Sequence, residues 1–529
     1  MKKRSVVTLG SVLLLVGLLA AVLLGVTPGD DQVQANQEET SDTGAATSAA
    51  LESGEQILVW TAPAHVPGEQ RVSEEGQIAY ITAEEGLRPL TDVLQQSGRV
   101  EPCGPIPNSP GNEHFALYMG VEAGVISSLY MISGNNPPVL VDDSFQLLTC
   151  VGGNGIFEYR AEGSQMVYLD YERQFQVDFA DGQLRVLTTN DFTEAFSLDD
   201  TVAFDAHADG VDFVRFFTNQ FNEADEVAIG RWDGESDREF DAFFAEENCK
   251  FTNASVANGP QGNTWVGLVQ NCSGQSTWTL YRISPGDEGS RVVLTQEAGG
   301  AFGTTVQTNQ LVFSPDGETL YYTLPDGFTL FTAALYAYDL AGGESTTIAN
   351  GGLVMPTLAT PVNAMAQRSA DGRYWAFVQR AGGDENSLFV VDLDEPGSPP
   401  VTARAGSSGD TISFMEWADT VPRLGFVAGG RQGADNSFFL LDMTAEAPSP
   451  ERIARGNFAR WAMMAPDGEE VAITEYQIQP EGVRGPDYLN LQVLDLATTD
   501  SALLYEGGMA QDNQVVDVSF AVPLRWISQ

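Results

Sequence analysis

Lysine is almost missing from this chain. It occurs only at Lys2, Lys3 and Lys250, and 26 Lys plus Arg stand against 73 Asp plus Glu in 529 residues, a formal net charge of −47. A protein without a basic face cannot neutralise a phosphate backbone, so nucleic-acid binding is excluded. The same repulsion disfavours adhesion of the chain's body to an anionic membrane surface and favours a soluble monomer. Phosphate loops of the Gly-x-x-x-x-Gly-Lys type are absent. Histidine is as scarce, at His65, His114 and His207, and the four cysteines form no Cys-x-x-Cys pair, which leaves little from which to build a zinc site. No Gly-x-Ser-x-Gly elbow occurs, so the nucleophile of an α/β-hydrolase is missing. A core is not missing: with 43% hydrophobic and 10% aromatic residues the chain is no disordered polymer.

The N-terminus carries an address. Lys2, Lys3 and Arg4 precede an apolar run from Val6 to Val26, closed by Pro28. Residues 1–28 therefore read as an export signal. The run is 21 residues long, enough to span a bilayer, which takes about 20, and longer than the roughly 7 to 15 of a cleaved signal peptide. Cleavage after Ala35 competes with retention. We read the segment as a retained signal anchor, a transmembrane helix with Lys2, Lys3 and Arg4 inside and everything beyond Thr27 outside. Residues 29–56 are acidic, small and polar, a disordered linker. In an exported chain the four cysteines, Cys103, Cys150, Cys249 and Cys272, are disulfide candidates. Proximity pairs Cys103 with Cys150 and Cys249 with Cys272, out of three possible connectivities.

From residue 57 onward the sequence repeats with a period near 50. Short strands end in aspartate at Leu335-Tyr-Ala-Tyr-Asp339, Leu388-Phe-Val-Val-Asp392, Phe438-Phe-Leu-Leu-Asp442 and Leu491-Gln-Val-Leu-Asp495, spaced 53, 50 and 53. Looser copies lie at Ile78, Leu129, Phe175, Val227 and Leu280. Before the better copies come turns: Phe313-Ser-Pro-Asp316-Gly317, Arg368-Ser-Ala-Asp371-Gly372, Trp417-Ala-Asp419 and Met464-Ala-Pro-Asp467-Gly468. Proline presets φ, aspartate caps the turn with its side chain, and glycine takes the positive φ. Four short strands per unit of this length, repeated many times, predict the sheets of an all-β propeller. Phe313, Trp417 and Met464, just before the turns, are expected to fill the core between neighbouring sheets.

Ser-Pro-Asp-Gly followed by an apolar strand and then Leu-Tyr-x-x-Asp-Leu resembles the repeat of TolB-type and WD-related propellers, which also form the substrate-filtering propeller of prolyl oligopeptidases. The resemblance covers residues 307–505 well and 57–306 by period alone. It implies a β-propeller fold whose Asp and Gly residues are hairpin residues. We expect a single propeller over residues 57–529, most simply eight-bladed with seven as the next choice, closed by pairing Ile57-Leu-Val-Trp and Ile78-Ala-Tyr-Ile with the C-terminal strands.

Chemistry is harder to find. Asp205-Ala-His207-Ala-Asp209-Gly210 alternates oxygen and imidazole donors and is a weak candidate for a divalent ion such as calcium, although the twelfth position of an EF-hand loop falls on Phe216. Turn use of these residues is the simpler reading, and no cofactor is expected. The chain is thus expected to be a non-enzymatic, extracytoplasmic binding or scaffold module of the cell envelope, membrane-anchored or secreted, with a protein or peptide partner. The alternative is a secreted hydrolase or lyase whose site gathers acids with an arginine or a metal at the mouth of the propeller channel.

Overall fold

The computed structural model describes residues 51, 55–63, 77–82, 86–89, 114–122, 125–133, 139–142, 157–161, 163–171, 182–218, 224–284, 290–298, 310–326, 332–355, 366–380, 386–404, 410–430, 436–456, 458–477, 488–505 and 519–527. The export segment 1–28, Cys103 and Cys150 lie outside them. Among the described residues no helix is long and apolar enough to cross a membrane.

The fold is all-β. Among the described residues the strands follow one another as antiparallel neighbours in seven sheets, two of them eight-stranded; each of these two is described below as a pair of four-stranded halves, giving units I to IX. Sheet I has β1 (Gln56–Pro63), β2 (Gln77–Thr82) and β3 (Gly86–Pro89). Sheet II has β4 (His114–Glu122), β5 (Val125–Ser133) and β6 (Val139–Asp142). Sheet III has β7 (Phe157–Arg160), β8 (Gln165–Tyr171), β9 (Gly182–Thr188) and β10 (Glu194–Leu198). Sheet IV has β11 (Thr201–His207), β12 (Gly210–Thr218), β13 (Ala224–Trp232) and β14 (Asp237–Phe244), and sheet V has β15 (Cys249–Asn258), β16 (Thr264–Cys272), β17 (Gln275–Ile283) and β18 (Arg291–Ala298). Sheet VI has β19 (Leu311–Phe313), β20 (Thr319–Pro325), β21 (Thr332–Asp339) and β22 (Ser345–Val354), and sheet VII has β23 (Ala366–Arg368), β24 (Tyr374–Arg380), β25 (Asn386–Asp392) and β26 (Val401–Arg404). Sheet VIII has β27 (Asp410–Trp417), β28 (Arg423–Gly430), β29 (Asn436–Asp442) and β30 (Glu451–Gly456), and sheet IX has β31 (Phe458–Met464), β32 (Glu470–Gln477), β33 (Tyr488–Asp495) and β34 (Ser501–Tyr505). The last strand, β35 (Ser519–Ile527), returns to pair with β1, so the two ends of the described chain meet in sheet I.

The described ladders show the all-β architecture, and the number of blades expected from the repeat, eight or seven, is a finer statement than they carry. The copy at Phe175 lies outside the described residues; β7 to β10 form a sheet of their own, and the ladder of β11 to β14 continues into β15. The ladder runs from IV into V through the single pair Ala224↔Phe251, and from VI into VII through Leu353↔Gln379. Leu51 is buried with Ile57 and Trp526, and Gln56 already pairs in β1.

Successive sheets pack face to face. Clusters join III to IV around Phe213 and Trp232, IV to V around Phe216 and Phe251, and V to VI around Trp278 and Tyr322. They continue from VI to VII around Phe377, VII to VIII around Trp417, VIII to IX around Met464, and IX to I around Trp526. Central strands are therefore covered on both faces. β20 is buried along its whole length: Leu320, Tyr322 and Leu324 face sheet V while Tyr321 faces sheet VII, the two-residue alternation of a strand sandwiched between sheets. Tyr322 stacks between Trp278 and Tyr336 at centroid separations of 4.6 and 5.1 Å, and each such pair adds about 0.5–1.5 kcal/mol to its area burial. Phe313 meets the Trp265 edge at 5.8 Å. The outermost strands β10, β14 and β30 contain no buried residue.

The repeated Asp and Gly residues have mechanical uses. Gly317, Gly372 and Gly468 hold φ of 72°, 73° and 70°, and each amide donates to the carbonyl three residues back. The Oδ1 atoms of Asp316, Asp371 and Asp467 take the amides of Glu318, Arg373 and Glu469. At the far end of each unit Asp339, Asp392, Asp442 and Asp495 cap the next turn in the same way. Cys249 and Cys272 are directly opposed in β15 and β16 and joined by a disulfide.

Candidate functional site

Four of the leading strands, β7, β11, β23 and β27, carry polar groups that reach the next sheet. A polar side chain on one leading strand accepts the amide N–H of the next: Glu158 Oε2 from Ala206 at 2.5 Å, Asp205 Oδ2 from Asn258 at 2.6 Å, Gln367 Oε1 from Trp417 at 3.2 Å, and Glu416 Oε2 from Met464 at 2.8 Å. In register, each donor follows the position that would supply the next acceptor. Ala257, Val312 and Met463 hold that position in sheets V, VI and IX and have no acceptor.

Burial dominates the electrostatics of these acids. It pushes Glu158 up to about 8, with the Asp205 charge adding to the rise and the Ala206 amide and Arg368 opposing it. Asp205 rises to about 6 by burial and the nearby Asp212 charge, against the Asn258 amide, His207 and Arg368. Glu416 rises to about 8 by burial against Arg525 and the Met464 amide. Arg368, from sheet VII, thus acts on acids of sheets III and IV.

Behind Asp205 lies a saturated carboxylate. Asp212 has no exposed surface; its oxygens take Arg231 Nε at 2.5 Å and Nη2 at 2.9 Å, Thr264 Oγ1 at 2.8 Å and Asn258 Nδ2 at 3.3 Å, with His207 Nε2 at 3.4 Å. Burial would raise its pKa, but the nearby His207 and the hydrogen-bonded Arg231 outweigh it and hold Asp212 below the usual carboxylate range. Beside it Arg160 lies 5.1 Å over the Trp232 ring and donates to the Ala208 carbonyl, and burial lowers its pKa.

The three metal candidates are not brought together. Asp205 turns to the Asn258 amide, His207 turns to Asp212, and Asp209 is exposed in the turn after β11. Among the described residues no group of three or more His, Cys, Asp or Glu side chains is placed to hold a metal ion. What sequence reasoning missed is the set of stapling acids and Asp212. Their signal is a period: 158 to 205, and 367 to 416, are steps of 47 and 49.

No protein-family profile matches the chain, and no curated protein matches it. Solved structures do. A eukaryotic initiation factor is 11% identical with a TM-score of 0.45, over 88% of this chain and 99% of that one. A prolyl endopeptidase, solved for its inter-domain dynamics, is 11% identical with a TM-score of 0.41, over 75% of this chain and 55% of its own. Prolyl oligopeptidase B from Galerina marginata is 9% identical with a TM-score of 0.39, over 76% of this chain and 56% of its own. The match thus spans little more than half of either peptidase, and at this level of similarity no activity transfers.

Proposed function

We propose that units I to IX close around one axis as a single β-propeller related to the TolB-type and WD-related repeats, and that it is an extracytoplasmic binding or scaffold module. The pairing of β35 with β1 and the reach of Arg368 to Glu158 and Asp205 support closure. The Cys249–Cys272 disulfide supports export to an oxidising compartment.

One observation carries the functional reading. The axial carboxyls Glu158, Asp205 and Glu416 each have an oxygen committed to a main-chain amide, so the groups that chemistry would need are spent on the frame. A stiff frame presents its loops to a partner. With the chain's charge at −47, the partner that fits is a protein or peptide with basic or neutral surface. Binding of cationic, neutral and anionic peptides to the purified protein tests this. Retention of cationic or neutral peptides, with the cationic ones weakening as salt rises, is expected; retention of anionic peptides alone contradicts it.

The grouping of Glu158 and Asp205 with Arg368 favours one second reading, a hydrolase or lyase in which a raised acid donates a proton. Substrate turnover by the purified protein that Glu158→Gln abolishes without unfolding would decide for it.

A further inference from the structure

We propose that Phe217, Glu226 and Phe244 form a docking cleft for a lysine or arginine side chain of a protein or peptide partner. The proposal rests on the reading of the protein as a binding module and names where on it a cation is held. The three residues come from adjacent strands of sheet IV. In register Phe217 of β12 is opposite Glu226 of β13, and Glu226 is opposite Phe244 of β14. Directly opposed residues of antiparallel strands project from the same face of a sheet, so the carboxyl stands in one row between two phenyl rings.

This row lies where the cover of sheet IV ends. Along the same face, at the other end of the strands, Val211, Phe213 and Trp232 are buried against sheet III. The opposite face packs on sheet V through Phe216, Val227 and Phe243. Phe217, by contrast, is 36% exposed and Phe244 70% exposed, so both rings are open to a partner.

The chemistry of the row selects a cation. Neighbouring strands lie about 4.8 Å apart, which sets the strands that carry the two rings roughly 10 Å from each other. A phenyl face attracts a cation within about 6 Å of its centre, so one ammonium or guanidinium seated over Glu226 is in reach of both rings. Phe217 already takes a cation of the protein's own, the Arg215 guanidinium 5.0 Å from its centre. That arginine is committed to Glu239 Oε1 at 2.9 Å and to the Asp199 carbonyl at 3.1 Å. The adjacent Asp225 is paired with Lys250. Glu226 is half-buried and, among the described residues, has neither a hydrogen bond nor an ion pair, so its charge is left for a cation from outside. Glu246 and Glu247, exposed just beyond β14, carry the same sign. An anionic ligand is repelled here, and so is a second copy of a chain whose net charge is −47.

Saturation-transfer difference NMR on the full chain reads the contact. The probe is the blocked peptide acetyl-Gly-Ser-Lys-Ser-Gly-amide, and the same peptide with norleucine in place of lysine is its uncharged control. Saturation is expected on the lysine side-chain methylenes and not on norleucine. Glu226→Gln, which keeps the shape and removes the charge, and Phe244→Ser, at an exposed position, should each weaken binding of the lysine peptide by about fivefold or more. Glu451→Gln, on the exposed start of β30, should leave it unchanged. Binding of the lysine peptide that neither cleft variant weakens, equal binding of the norleucine peptide, or no saturation of the lysine peptide would each overturn the cleft. The binding-module reading is judged separately, by retention of cationic and neutral peptides of other sequence.

Discussion

Asp212 and Arg231 form a two-point ion pair in which the carboxylate has no exposed surface and the guanidinium also reaches the Gly262 carbonyl and Thr264. The pair ties β12, β13 and β16 together, so it joins sheets IV and V. Removing one partner strands a buried charge, at a cost of about 3–5 kcal/mol. Arg231→Met should therefore lower the denaturant midpoint markedly, while a double variant carrying Asp212→Leu as well should be less destabilised than Arg231→Met alone. Equilibrium urea unfolding of the two proteins checks the order.

Glu158 sets a second expectation. Its folded value near 8 against an ordinary 4.5 means that the folded state holds a proton the unfolded state has lost. Stability then declines as pH rises from 4.5 to 8. Exposed carboxylates are fully ionised above about pH 6, so the change between pH 6 and 8.5 isolates the buried acids from the chain's large surface charge. Glu158→Gln should reduce the drop in melting temperature across that interval. An unchanged drop would mean that Glu158 titrates normally.

The turn glycines separate backbone strain from crowding. At Gly372, φ is 73° and an added Cβ would meet nothing within 4 Å, whereas at Gly468 it would lie 2.8 Å from Val421 Cγ2 and 2.9 Å from Ala418 Cβ. Gly372→Ala should cost the left-handed penalty alone, about 1–2 kcal/mol. Gly468→Ala should cost more, because two packed side chains must also move. Paired thermal melts measure the difference.

How much of this is readable from sequence depends on whether a residue's role is local. Asp316, Gly317, Asp371 and Gly372 serve turns made by their immediate neighbours, so residue type and spacing announce them. The aspartates at 339, 392, 442 and 495 are equally local caps. The stapling side chains are not. Glu158, Asp205, Gln367 and Glu416 differ in type, are interrupted by Ala257 and Val312 and followed by Met463, and bond a strand about 50 residues away. Asp212 is hidden in the same way, since its partners come from β13, β15 and β16. His207 carries a ligand-like pattern in sequence, and only the fold turns it toward Asp212. Unit boundaries are harder to read before residue 306, because the weak copies there lack the turn motif that separates units clearly after it.

The claim that the carboxyls of Glu158, Asp205 and Glu416 belong to the frame is tested most directly by residue-resolved amide exchange in Asp205→Ala. Loss of the acceptor removes one hydrogen bond to a charged group, worth about 1.5–3 kcal/mol, so protection of the Asn258 amide should fall by at least tenfold while the Met464 amide, held by Glu416, keeps its wild-type value. Unchanged protection at Asn258, together with loss of a catalytic activity in the same variant, would contradict it.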